Sequence, residues 1–227
     1  SKGKVIPKPS MKDKVEDFVK RAKKAGMLRV GERAITIDDY ADSFKRMFKK
    51  MEQMDRSISF RKNIIPISEP TFGKENLARL TDGIFGAFES WRFPDKDANW
   101  VAYRGKHMDF ILDLGEVMPI NSIEMDFLNV QAQANWHQLI LPKFVTYAIS
   151  MDGEKYIDPI KIHNPHNPNP AENPDIVKLP FMEFKSSFVD THARFIKVHA
   201  ESVVKMPNWH INAGKPAILY TDEIVVN

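Results

Sequence analysis

The stretch MPNWHINAGKPAILYTDEIVVN, Met206–Asn227, decides how the chain is read. From Ala217 to Val226 apolar and polar residues alternate at strand spacing, behind a Trp-His loop and the turn string NAGKP (212–216). Two acids, Asp222 and Glu223, sit side by side inside that strand. Neighbouring strand residues point to opposite faces. Either the pair lies on a solvated surface, or one carboxylate is holding something.

The same alternation recurs upstream. HMDFILDLG (107–115), NSIEMDFLN (121–129), KFVTYAIS (143–150) and ARFIKVHAE (193–201) all read as strands, broken by Gly, Pro, Asn and Asp. Short strands separated by long loops, with no helical run between them, predict a mainly β chain folded as an antiparallel sandwich. The segment HNPHNPNPAENPD (163–175) holds four of the 15 prolines and reads as an extended surface loop.

Residues 1–58 have a different character. Ser10 caps a helix whose apolar positions Met11, Val15, Phe18, Val19 and Ala22 recur at helical spacing, with Gly26 as its stop. A second helix opens at Thr36, and Tyr40, Phe44, Met47, Phe48 and Met51 form one stripe along it. Two such helices bury little by themselves and need a partner surface. Residues 1–60 carry 16 Lys and Arg against 9 Asp and Glu, whereas the remainder is acidic with 17 against 21. A basic front on an acidic body predicts two units, a helical linker or docking segment over 1–58 and a sandwich over 59–227.

Composition excludes several classes. With 43% apolar residues, 15 Phe and 4 Trp, the chain can build a core. Cysteine is absent, which removes disulfides, thiolate metal sites and cysteine nucleophiles. No stretch approaches the roughly 20 apolar residues that span a bilayer. There is no phosphate-binding glycine loop or serine elbow, and the seven histidines show no ligand spacing. His199 stands opposite the apolar positions Ile196, Val198 and Ala200 of its strand, which predicts a solvated position. The lysines of the front alternate with acids as on a solvated helix face, so neither nucleic-acid binding nor membrane insertion is expected. Ser1 in place of a starting Met suggests a piece of a longer protein.

Candidate site residues fall in two groups. LTDG (80–83) is either a plain turn or a calcium loop, since Ca²⁺ takes six to eight oxygens from carboxylates and carbonyls. Aromatic and polar side chains occupy three loops: Tyr103 and Arg104, Trp136 and His137, Trp209 and His210. An aromatic face with a few directing polar groups suits a pyranose ring. Loop tryptophans also serve as plugs against a sandwich.

The string LTDG…NWVAYRGKHMDFILDLGEVMPINSIEMDFL, followed by WHQLILPKFVTYAISMDGEKY and ARFIKVHAESV…NWHINAGKPAILYTDEIVV, resembles the discoidin family. That is the coagulation factor five/eight type C domain, which includes the family 32 carbohydrate-binding modules. The version found at the C-terminus of bacterial hexosaminidases and related glycan-degrading proteins is the one it is most similar to. The resemblance covers residues from about 59 to 227. It implies an eight-stranded jelly roll with a structural Ca²⁺ held by the Leu80 carbonyl, Asp82 and Glu223, leaving Asp222 to the other face. The front helices resemble the segment that follows a glycosidase-like barrel in a large bacterial family of unknown function.

The resemblance also implies a non-catalytic module that binds a mono- or oligosaccharide. Its partner would be an upstream catalytic domain of the same polypeptide, possessed by an extracytoplasmic glycoside hydrolase-like parent. The alternative is a purely structural domain that packs on that barrel without a ligand of its own.

Overall fold

The computed structural model describes residues 10–27, 36–54, 56–72, 74–86, 100–129, 137–157 and 159–227, without the side chains of residues 39, 43 and 74–76. Two helices, α1 (Met11–Lys24) and α2 (Ile37–Met54), precede seven strands. These are β1 (Asn63–Pro66), β2 (Val101–Arg104), β3 (Met108–Leu128), β4 (Phe144–Ser150), β5 (Ile160–His163), β6 (Phe181–Ala200) and β7 (Ile218–Val226). All pairings among them are antiparallel.

The two long strands set the architecture. β3 and β6 pair along their whole length, but the register shifts between Asp113 and Met118 and again between Ile120 and Ser122. Extra residues on each strand bend the pair through a corner. Gly115 turns β3 there with φ of 87°, and Asp190 turns β6 with φ of 48°. Only glycine enters that backbone region without a Cβ penalty, so Asp190 marks a strained point at the corner. The bend folds one ladder into two layers. β1, the front of β3, the back of β6, β4 and β5 form the first; β2, β7, the back of β3 and the front of β6 form the second.

The core lies between the layers. Phe110, Leu112, Val145, Tyr147, Ile196 and Val198 meet Ile123, Met125, Phe127, Phe184, Leu219 and Ile224, all fully or almost fully buried. Phe127 and Phe184 pack edge to face at 5.5 Å, and the Tyr147 hydroxyl crosses the core to donate to the Phe184 carbonyl at 2.7 Å. Alternation had located the first half of β3, β4, the end of β6 and β7. HMDFILDLG and NSIEMDFLN are halves of one bent strand. The short strands β1, β2 and β5 and the first half of β6 carried no comparable signal.

The second layer also has its outer face covered, and the cover is α2. Tyr40 packs beside Trp100, Leu128, Ile218 and Tyr220, while Met47 and Met54 pack on Phe85 and Val225. The expected stripe therefore splits: Phe44 and Phe48 face a groove toward α1, and Met51 is exposed. α1 is capped as its sequence predicts. The Ser10 hydroxyl accepts the Asp13 amide at 3.1 Å, and Asp13 accepts the Ser10 amide at 2.8 Å. The Ser10 hydroxyl, which donates to Asp13 Oδ2 at 2.7 Å, and the Ser10 amide hold the Asp13 carboxyl below its usual value. Ser57 and Ser59, on either side of the expected 58/59 boundary, donate hydroxyls to the Val226 and Ile224 carbonyls at 2.8 and 2.7 Å.

Charge holds the cover in place. Glu124, Asp126 and Asp222 project from β3 and β7 into the helix interface and are almost wholly buried. Arg46 donates to Asp126 from Nε at 2.9 Å and reaches Asp222 at 3.4 Å, with its guanidinium 4.0 Å from the centre of the Phe181 ring. One turn later Lys50 donates to Glu124 at 2.6 Å and to Glu183 at 2.9 Å. Burial pushes the Asp222 carboxyl up, against the pull of Arg46. The facing carboxylates raise Lys50 to about 12 in spite of its burial.

The expected boundary thus falls at a packed junction. Arg46→Ala should leave Asp126 and Asp222 in a dry interface and lower stability by about 3–5 kcal/mol in urea denaturation. Arg46→Met combined with Asp126→Asn and Asp222→Asn should recover most of it. A single-variant loss under about 1 kcal/mol would show that these charges do not hold α2.

Candidate functional site

Asp222 and Glu223 are 0% and 1% exposed, so the solvated-surface reading of the pair is excluded. A bulge explains how both can be buried. Pairing of β3 with β7 passes from Met125↔Ile224 to Phe127↔Thr221, so one residue of β3, Asp126, faces two of β7, Asp222 and Glu223. The extra residue falls at the acids. Asp222 turns outward to Arg46 and accepts the Gly86 amide at 2.9 Å.

Glu223 turns to the loop that carries Asp82. Its Oε1 accepts the amides of Gly83 at 2.8 Å and Ile84 at 3.2 Å. Asp82 accepts the same Ile84 amide at 2.8 Å. Gly83 has φ of 79°, and a Cβ there would lie 3.1 Å from the Phe60 ring. The turn therefore requires glycine. Leu80, just ahead, buries its side chain in the core. Three residues predicted from the two ends of the chain, Leu80, Asp82 and Glu223, thus lie along one loop and the strand behind it.

The electrostatics of this place are unusual. Glu223 Oε2 is buried, and no hydrogen-bond donor reaches it among the described residues. Burial, a hydrogen bond shared with the Asp82 carboxyl and the charge of Asp222 raise the Glu223 carboxyl to about 11. A proton on Glu223 is what relieves two facing carboxylates here, and a cation can do the same. An orphaned buried carboxylate oxygen beside a second carboxylate fits a hard divalent ion.

Of the second group of predicted residues, Arg104, His137, Trp209 and His210 lie at one end of the sandwich. Arg104 ends β2 with its side chain exposed, and its amide donates to the Thr71 hydroxyl at 3.0 Å. Residues 138–140 run beside the start of β7: the Ile140 amide donates to the Ile218 carbonyl at 3.1 Å and the Ile218 amide to the Gln138 carbonyl at 2.8 Å. That brings His137 near Arg104 and His210. Burial and those two charges lower His137 to about 4, so it is neutral at pH 7 and offers one donor and one acceptor.

The 206–215 loop closes on itself, with the Met206 amide donating to the Lys215 carbonyl and the Gly214 amide to the Met206 carbonyl. Inside it His210 is buried, and its Nδ1 accepts the Asn212 amide at 3.0 Å. Trp209 stands beside His210 with ring centres 5.6 Å apart and is 37% exposed. Trp136 lies outside the described residues. Tyr103 is sealed in the core at 0% exposure, and its hydroxyl has no hydrogen-bond partner among the described residues. Its ring has no face to offer a ligand, because odd positions of β2 point inward while Arg104 points out.

Sequence reasoning found no grouping of histidines. The structure makes one: His107, ahead of β3, lies against His199 on β6 with ring centres 5.4 Å apart, next to Glu201. About ninety residues separate the two histidines, and only the β3–β6 ladder, which pairs Asp109 with His199, brings them together.

No protein-family model matches the chain, and no curated protein does. Solved structures of similar fold include a Streptococcus pneumoniae fucose-binding module, at 12% identity and a TM-score of 0.46, covering 75% of this chain and 96% of that one. Chitosan-binding module 1 from a Paenibacillus sp. IK-5 chitosanase/glucanase matches at 12% identity and 0.43, over 75% and 98%. A family 32 module of a Clostridium perfringens protein matches with the same four values. These solved structures are carbohydrate-binding modules. At such identities nothing about the ligand of this chain follows from them.

In calcium-free buffer the Glu223 geometry sets the sign of a pH effect. Folding raises this carboxyl from its ordinary value, near 4, to about 11. Its contribution is complete below the unfolded pKa and declines as pH climbs toward the folded one. With EDTA present, wild-type melting temperature should fall between about pH 5 and pH 8, and the fall should be smaller in Glu223→Gln. Equal slopes in the two proteins would mean that Glu223 is already ionised in the fold.

Proposed function

We propose that residues 59–227 form a non-catalytic carbohydrate-binding module of a larger glycan-degrading bacterial protein. The observation that carries the reading is that Arg104, His137 and Trp209 come from segments at one end of the sandwich, with His210 buried beside Trp209. A half-exposed indole gives a pyranose ring an apolar face. A neutral imidazole and a guanidinium alongside it supply directional partners for hydroxyls. The rim is shallow, and few contacts at a shallow site correspond to affinity of roughly millimolar order. On this reading the parent protein works outside the cytoplasm, and its catalytic domain lies upstream. Among the described residues no helix is long and apolar enough to cross a membrane.

A structural Ca²⁺ belongs to the same reading. Asp82 and Glu223 would supply carboxylate oxygens and Leu80 its carbonyl. The ion would ionise Glu223 and tie the loop after Leu80 to the last strand. Millimolar Ca²⁺ should raise the melting temperature of the wild-type chain and remove its pH slope, whereas Glu223→Gln should show neither response. Chelation without effect on wild-type melting would argue against the ion.

A second reading has its own support. Between α1 and α2 runs a groove of about 540 Å³, lined by Val15, Val19, Phe44 and Phe48 and edged by lysines. Such a face suits a structural domain whose helices brace it against a neighbouring barrel.

A glycan array followed by calorimetry on the chosen sugars separates the two. Under the binding reading, Trp209→Ala should lose at least tenfold in affinity with unchanged melting. No binding to any glycan, with melting that still responds to Ca²⁺, would leave the structural reading in possession.

A further inference from the structure

The histidine pair lies on the outer face of the first layer, and nothing in the sugar-binding reading uses it. His199 Nδ1 is 2.7 Å from Asp109 Oδ1, and its Nε2 is 3.0 Å from Glu201 Oε2. His107 Nδ1 lies 3.3 Å from the same Glu201 oxygen. The Ser202 amide donates to His107 Nδ1 at 3.1 Å, so that nitrogen carries no proton. Two lone-pair atoms, His107 Nδ1 and Glu201 Oε2, therefore face each other with nothing donated between them. Three ligand atoms, one each from His107, His199 and Glu201, lie within 4.8 Å of one another, and all three residues are half-exposed and open to solvent.

We propose that His107, His199 and Glu201 bind a Zn²⁺ ion, with Asp109 as the acceptor that orients His199. Imidazole nitrogens with one carboxylate suit zinc far better than Ca²⁺, which takes oxygen. Ligand atoms about 2.0–2.2 Å from a tetrahedral ion stand roughly 3.3–3.6 Å apart, so the 3.0 and 3.3 Å separations need only small movements. The arrangement behind the ligands is also the one metals use. A ligating histidine commonly donates its other N–H to a carboxylate, which fixes the tautomer and raises the basicity of the ligating nitrogen. Asp109 fills that role through Nδ1 and leaves Nε2 for the metal. His107 would exchange the Ser202 amide for the ion. Three protein ligands leave a fourth position for water.

A competing cation is the proton. A doubly protonated His199 would satisfy both Asp109 and Glu201 without metal, leaving only His107 and Glu201 opposed. Zinc titration tells the two apart. The full chain is stripped with chelator, dialysed into buffer holding millimolar Ca²⁺ to fill any oxygen site, and titrated with ZnCl₂ by calorimetry.

One saturable equivalent is expected, with a rise in melting temperature. Affinity should fall at least tenfold in His199→Ala, in His107→Ala and in Glu201→Gln. His107 lies outside the strand ladder, so its variant keeps the test valid if His199→Ala unfolds. His163→Ala/His166→Ala, Trp209→Ala and Glu223→Gln should all keep wild-type zinc affinity, which separates this site from the other histidines and from the sugar and calcium readings. Absence of one-equivalent binding, or unchanged affinity in His107→Ala and Glu201→Gln, overturns the proposal.

Discussion

Arg46 is the contact on which the rest of the arrangement depends. An acidic face on the second layer would ordinarily look to water, yet Asp126 and Asp222 lie buried beneath a helix. Taking an unpaired carboxylate out of water costs several kcal/mol even after relaxation. The interface forms because one guanidinium answers both acids while stacking on Phe181. Lys50, one turn along the same side of α2, does the same for Glu124, which Lys185 meets from its other oxygen at 2.8 Å. Once those charges are matched, Tyr40, Met47 and Met54 can bury apolar surface on the strands. The basic front and acidic body of the sequence are the two halves of this interface.

That match explains which parts of the fold were legible. Where one strand face meets the core and the other meets water, alternation is clean, as in the first half of β3 or in β4. Where the helix covers the second face, every residue of β7 is buried, and a run such as ILYTDEIVV is read as a strand only because its acids interrupt it. The short strands β1 and β2 are four residues each, too brief for a period to register. β5 is equally short and leads into the proline-rich loop. That loop is more ordered than its composition suggests. Asn167, Asn169 and Asn173 bond to Glu172 and to nearby backbone, and Ile176 plugs the core behind them.

The sites were legible to different depths. Pairing Asp82 with Glu223 required joining positions about 140 residues apart, and no spacing rule does that; the resemblance supplied it. The bulge that lets both acids be buried is a register effect, invisible to a one-strand pattern. Arg104, His137, Trp209 and His210 were read as loop residues, and the structure places Arg104 at the end of β2 and the other three in loops. Tyr103 failed for a local reason. In a four-residue strand, the parity of a single position decides between rim and core. The His107–His199 pair was missed because each histidine looks ordinary in its own segment, and only the ladder between β3 and β6 brings them together.

Three carboxylate clusters in this fold confront the same physical difficulty and meet it in three ways. Asp126 and Asp222 are answered by a guanidinium that never releases its proton, which makes a permanent joint between helix and sheet. Among the described residues Glu223 and Asp82 have no basic side chain against them, and burial beside a second carboxylate raises the Glu223 carboxyl, which favours a proton or a divalent ion there. Asp109 and Glu201 are bridged by the imidazole of His199, which contacts both carboxylates. Fixed cations suit structure, because their charge does not depend on the medium. The Glu223 cluster lies on the last strand beside the helix interface, and the His199 cluster lies on the open face of the first layer. The fixed guanidinium therefore marks the joint under α2, and the proposed Ca²⁺ and Zn²⁺ sites belong to the other two clusters.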